Sequence, residues 1–280
     1  MAPMALVMGL VVSVAVGICL YAAVAAFKQP VSRPRLEKFA SRQRLVVTAG
    51  NGPLLLQALA LTQRWRTLGL WTGLAAGVLW ALREGQLTLN FAAAFLGWFV
   101  GAVVAEWRIA GIPVEAGRRA ASLAPRTLSS YLRRGPLVVL GVALVLWFGA
   151  TVAAVVRTGG PAPWVWAGIT VLGLAVLALT LRRVVDRRQP PAAQDLVAAD
   201  DALRARAAAV LAGSALAALG LSTAAVVALI DRPDAPQGPI WAGIGLFLML
   251  LELGVGWRLA TDASPARTGP ARPAQAATQS

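Results

Sequence analysis

Histidine is absent from the 280 residues, cysteine occurs once, as Cys19, and lysine only twice, as Lys28 and Lys38. Without histidine the chain lacks the zinc-peptidase helix motif, the Ser–His dyad of rhomboid-like proteases and bis-histidine haem ligation. One thiol builds neither an internal disulfide nor a cysteine metal site. A phosphate-cradling glycine-rich loop closed by lysine is missing, as is the paired-aspartate pattern of membrane CDP-alcohol transferases. The inventory argues against an enzyme, and no cofactor or metal is expected. Charge is scarce as well. Charged residues make up 14% of the chain and apolar ones 58%, where a soluble domain carries about a quarter charged.

The deficit comes from long runs almost free of charge, each near the roughly 20 residues needed to cross about 30 Å of hydrocarbon. The expected fold class is all-α, a polytopic transmembrane helix bundle of seven spans. These cover about 5–27, 67–82, 88–107, 136–156, 164–181, 207–230 and 239–257. The net charge of +14 does not indicate nucleic acid, because the basic residues lie between apolar runs and not on one soluble face. Twenty-three of the 26 basic residues fall in alternate connections and the tail. Only Arg83, Arg157 and Arg232 fall on the other side. The positive-inside rule then puts the N-terminus outside and the C-terminus inside.

The chain reads as one transmembrane domain over 1–257. An anchor helix at 5–27 precedes a cytoplasmic segment at 28–66 and three hairpins at 67–107, 136–181 and 207–257. A low-complexity cytoplasmic tail, 258–280, is expected to be disordered. The opening residues lack a positive n-region and Lys28 follows the apolar run, the reverse of a cleaved signal peptide, so the first span is expected to be retained. The segment Leu45–Thr62 is apolar but centred on Gly-Asn-Gly-Pro, which breaks a helix. Crossing there would reverse every later loop. The expectation is two short cytoplasmic helices joined at Gly50–Pro53, with an interfacial or re-entrant path as the alternative.

The tetrapeptide Trp-Ala-Gly-Ile occurs at 166–169 and again at 241–244, both after Pro/Gly-rich turns. Each copy opens a span at the outer aromatic belt, with arginine (Arg182, Arg258) 16 or 17 residues further on. Small residues recur every four positions. Gly69, Gly73 and Gly77 line one stripe, Ala93, Gly97, Gly101 and Ala105 another, and Gly9, Ser13 and Gly17 a third. Such stripes let backbones approach closely in lipid. They suit either internal packing or a contact with a second copy or another membrane protein.

Two carboxylates touch the membrane. Glu252 lies six residues before Arg258, about 9 Å inside the inner boundary. It is the candidate intramembrane polar site, for proton or cation coupling or for pairing with an interfacial arginine. Glu106, beside Trp107 and Arg108, is expected at the interface. The connections carry Arg118, Arg119 and Tyr131, then Asp200 four residues before Arg204, a spacing that pairs charges on a helix. These five residues are the candidate surface for a cytoplasmic partner, and Asp195 is a candidate helix cap.

The run GWFVGAVVAEWRI…RRAASLAPRTLSSYL, followed after two spans by QDLVAADDALRARA, resembles a recurring set of uncharacterised actinobacterial multi-pass integral membrane proteins. The resemblance covers about 68–257. It implies a bacterial plasma-membrane location and a transport-associated role, and it supplies no activity and no functional residues. The functional expectation is a non-catalytic component or partner subunit of a membrane assembly. The alternative is a small-molecule transporter or permease in its own right, with Glu252 in a polar cavity beside Ser214, Ser222 or Thr223.

Overall fold

The structure is a computed structural model that describes residues 13–14, 16–19, 21–25, 27–28, 30–83, 91–112, 131–132, 134–187, 194–230 and 238–261. Arg118, Arg119, the tail after Thr261 and residues 84–90 and 231–237 lie outside the described residues. An apolar N-terminal helix runs through Val16–Ala25. Seven further helices follow: α1 Arg33–Gln43, α2 Gly52–Arg83, α3 Phe91–Ala110, α4 Arg134–Thr158, α5 Ala162–Val185, α6 Gln194–Ile230 and α7 Gly238–Thr261.

Five of the described helices, α3 to α7, are long and apolar enough to cross a bilayer. The other two expected spans differ in kind. The N-terminal helix is shorter in its described apolar part, and α2 carries Arg64 and Arg66 within its length.

Gly50–Pro53 does not join two short helices. Thr48 and Asn51 form a reciprocal cap. The Thr48 amide donates to Asn51 Oδ1 at 2.9 Å, and the Asn51 amide donates to Thr48 Oγ1 at 3.2 Å. The two bonds close the 48–51 turn from which α2 starts at Gly52. Pro53 then falls in the first helical turn, where its missing N–H costs nothing. The Gly-Asn-Gly-Pro stretch therefore starts a helix, and α2 continues for 32 residues, about 48 Å. A side chain at Gly50 would meet Asp195 Oδ2 at 2.9 Å. That oxygen also accepts from Thr48 Oγ1 at 2.6 Å, so the turn is seated on the start of α6.

The span expected at 207–230 is the later part of a longer helix. α6 is one helix of 37 residues, about 55 Å long. It is the hub of the bundle, with 61% of its most apolar window buried against 17% in α5. The first and third expected hairpins, α2/α3 and α6/α7, are the tightest pairs. The middle one is loose: α4 and α5 touch little, and each packs on α6. Trp147 Nε1 on α4 donates to Ser222 Oγ on α6 at 2.9 Å, and Ser222 shares a 2.5 Å hydrogen bond with Thr170 Oγ1 on α5. These buried polar groups fix α4 and α5 to the hub, at a level where water is not available to satisfy them.

Both Trp-Ala-Gly-Ile copies lie near helix starts, in α5 and α7, as expected. The small-residue stripes of α2 and α3 face each other. A Cβ on Gly69 would strike the Gly97 carbonyl oxygen, one on Gly97 the Gly69 carbonyl oxygen, one on Gly73 the Ala93 carbonyl oxygen and one on Gly101 the Trp65 carbonyl oxygen. Gly77 is buried on the same helix. This packing face is internal to the chain. By contrast, a Cβ on Gly17 would meet nothing within 4 Å. A second close approach pairs Gly213 of α6 with Gly256 of α7, each glycine facing the other's carbonyl oxygen.

Candidate functional site

Apart from Glu252, the buried charged side chains described gather at one end, where α3, α5 and α7 finish and α6 begins. Asp200 is fully buried and Arg204 is 1% exposed. Both stand on α6, and their i,i+4 spacing gives a 2.8 Å pair from Arg204 Nε to Asp200 Oδ2. The other Asp200 oxygen accepts from Arg187 Nη2. Each arginine then reaches a helix end. Arg204 Nη1 donates to the Val185 carbonyl and Nη2 to the Arg187 carbonyl, both at 2.7 Å. Arg187 Nη1 donates to the Ile109 carbonyl at 2.9 Å. The last carbonyls of a helix lack intrahelical partners and carry its negative dipole end, so cations are stabilising there. One carboxylate thus orients two guanidinium groups that cap α3 and α5 on the flank of α6. Burial first, and then the neighbouring Arg204, pulls the Arg187 guanidinium down to about 10, so it remains charged at neutral pH.

This placement corrects the reading of Asp200 and Arg204 as an exposed partner surface. Their spacing pairs them, but the pair faces inward, toward the Arg187 side chain and the Val185 and Arg187 carbonyls at the end of α5. Tyr131 is half-buried, with its hydroxyl 3.4 Å from Asp201 Oδ1.

Glu106 on α3 is 2% exposed, so neighbouring helices cover it. It faces the positive charges of Arg206, Arg66 and Arg187. Its Oε1 has no hydrogen-bond partner, and neither have Arg66 Nε, Arg66 Nη2 and Arg206 Nη1. Arg66 lies over the Trp98 ring at 4.5 Å and Arg183 over Trp107 at 4.2 Å, contacts that hold guanidinium groups against aromatic faces. Arg66, Arg187 and Arg206 counted in the sequence only as inside charge. Their signal was position: Arg66 and Arg206 sit within uninterrupted helices, where an arginine has less freedom to reach water.

Glu252 on α7 is 6% exposed, with its Cβ 2.8 Å and its Oε2 3.2 Å from where a Cβ on Gly220 would stand. Neither carboxylate oxygen has a hydrogen-bond partner. No arginine completes the expected interfacial pair. Of the groups expected beside it, Ser222 is occupied by Trp147 and Thr170, Ser214 donates to the Val210 carbonyl at 2.9 Å, and the Thr223 hydroxyl has no partner. Among the described residues no group of three or more acidic, histidine or cysteine side chains could hold a metal ion.

The chain matches no protein-family model, no curated protein and no solved structure. What it is follows from its own helices. It is an all-helical, multi-pass membrane protein. Its described polar interior is an ionic layer at one end, a hydroxyl bridge in the middle and one carboxylate without a partner.

Proposed function

We propose that the protein is a non-catalytic component of a bacterial plasma-membrane assembly. In this reading it spans the bilayer seven times, with the N-terminal helix and the 67–82 part of α2 joining the five long apolar helices. The N-terminus lies outside, and the end holding Arg187, Asp200 and Arg204 faces the cytoplasm. The observation that carries the reading is the use of the buried charges. Arg187 and Arg204 hold the ends of α3 and α5 in register with α6. That is a structural task, and it leaves these groups no substrate to move. The resemblance to actinobacterial membrane proteins is in keeping with a transport-associated role for such a component.

A permease is the second reading, and Glu252 favours it. An ionisable residue within a membrane helix is costly, and it marks a functional site by default. Two experiments separate the readings. Purification of the tagged chain from a mild detergent recovers a stoichiometric membrane partner or a second copy if it is a component, whereas a lone monomer contradicts that reading. Cysteine introduced as Glu252→Cys in a Cys19→Ala background resists a small water-soluble thiol reagent if the chain is a component. Rapid labelling indicates a water path and favours the permease.

A further inference from the structure

Beside the ionic layer lies a cavity of about 450 Å³, bounded by α1, the lower part of α2, Trp98 of α3, Arg206 of α6 and the last turns of α7. This is within the size range of ligand sites. Five cationic side chains line it: Arg35, Lys38 and Arg42 on α1, Arg66 on α2 and Arg206 on α6. No acidic side chain is among the described lining residues. The three cations on α1 are exposed and form the mouth, while Arg66 and Arg206 are half-buried and form the floor.

Neighbouring groups orient the mouth. Arg35 donates to the Gln63 side-chain oxygen and Arg42 to the Thr261 carbonyl. At the floor, Arg66 and Arg206 keep guanidinium nitrogens that are shielded from solvent and lack acceptors. Glu106 lies close enough to interact with both, yet its Oε1 accepts from neither. Buried donors in this state are destabilising, and an anion able to take several of them relieves that cost. The remaining wall is apolar, with Leu59, Phe39 and Trp257 beside Trp98.

We infer that this cavity binds a phosphate-bearing anion. Several convergent arginines fit phosphate oxygens through paired N–H donors, and a single carboxylate offers too little charge for Arg35, Lys38, Arg66 and Arg206 together. The adjoining apolar wall accommodates a non-polar part of the same molecule. Two sources share this chemistry, an anionic phospholipid headgroup and a soluble phosphate compound. Basic pockets between membrane helices are known to take headgroups of the first kind. The inference does not depend on whether the chain is a component or a permease.

The test uses the full-length chain in neutral detergent. Thermal unfolding and native mass spectrometry are followed with phosphatidylglycerol against phosphatidylcholine in one arm, and with inorganic pyrophosphate against chloride at equal ionic strength in the other. Saturable binding and stabilisation by at least one phosphate-bearing probe are expected. The double variant Arg35→Gln/Lys38→Gln, on an exposed helix face, is expected to weaken that binding by about tenfold or more. The double variant Arg33→Gln/Arg44→Gln removes the same charge from α1 and its C-terminal cap, outside the cavity, and leaves binding within about twofold. A response only to phosphatidylglycerol assigns a lipid headgroup, and a response to pyrophosphate assigns a soluble phosphate. No response to either probe, or equal loss in the two double variants, overturns the inference.

Discussion

Asp200 does more for this bundle than its length suggests, because it is the one carboxylate that both Arg187 and Arg204 share. Replacing it by alanine removes the carboxylate that pairs both buried guanidinium groups, and removing one partner of a buried ion pair costs about 3–5 kcal/mol. Asp200→Ala is expected to lose stability on that scale in denaturant or thermal unfolding of the detergent-solubilised protein. Arg33→Ala breaks the Arg33–Glu37 pair, whose side chains are 88% and 63% exposed, and should leave the unfolding curve unchanged. Glu252 is the opposite case, a buried carboxylate without a partner. Glu252→Gln should raise stability, by up to about 2 kcal/mol, and a loss in the same assay would mean that the carboxylate has a structural partner. At this scale the sequence was half legible. The Asp200–Arg204 spacing predicts the pair, and Glu252 is visible within its apolar run. The inward direction of Asp200 was not legible, because spacing along one helix cannot reveal carbonyls brought in from Ile109 and Val185.

Among the elements, α2 and α3 meet backbone to backbone. Gly97 has no room for a methyl group, since the Gly69 carbonyl oxygen occupies that position. Gly97→Ala must part the two helices, and overpacking of this kind costs about 1–3 kcal/mol. Gly141→Ala and Gly173→Ala add a methyl where nothing stands within 4 Å, so they should leave stability unchanged or slightly higher. The same unfolding measurement on the three variants checks the contrast, and equal effects would contradict the proposed packing. These stripes were legible because glycines four apart must share one helix face. The Gly213–Gly256 contact was not, since each is a single glycine whose partner depends on how α6 and α7 pair. The lengths of α2 and α6 were misread for one reason. Arginines and a Gly-Asn-Gly-Pro stretch look like connections, yet Thr48 and Asn51 make that stretch a helix start, and Asp200 makes Arg204 of α6 part of its interior.

For the whole molecule, the helices divide the work. α6 supplies the hub, α2/α3 and α6/α7 are glycine-packed pairs, and α4 and α5 lie at the periphery with large apolar side chains such as Val145, Phe148 and Leu172 facing out. Such a surface suits lipid or another membrane protein, where packing is not driven by water. The membrane class was legible from charge-poor runs alone. The span count was less so, because α2 mixes an apolar stretch with two half-buried arginines. The central claim is a bilayer-spanning bundle whose ionic end faces the cytoplasm. Site-directed thiol labelling in intact bacteria tests it most directly. In a Cys19→Ala background, Thr158→Cys at the exposed end of α4 and Asp186→Cys at the exposed end of α5 are treated with a membrane-impermeant maleimide. Thr158→Cys should react in intact cells and Asp186→Cys only after permeabilisation. The reverse pattern, or labelling of both positions from the same side, would contradict the account.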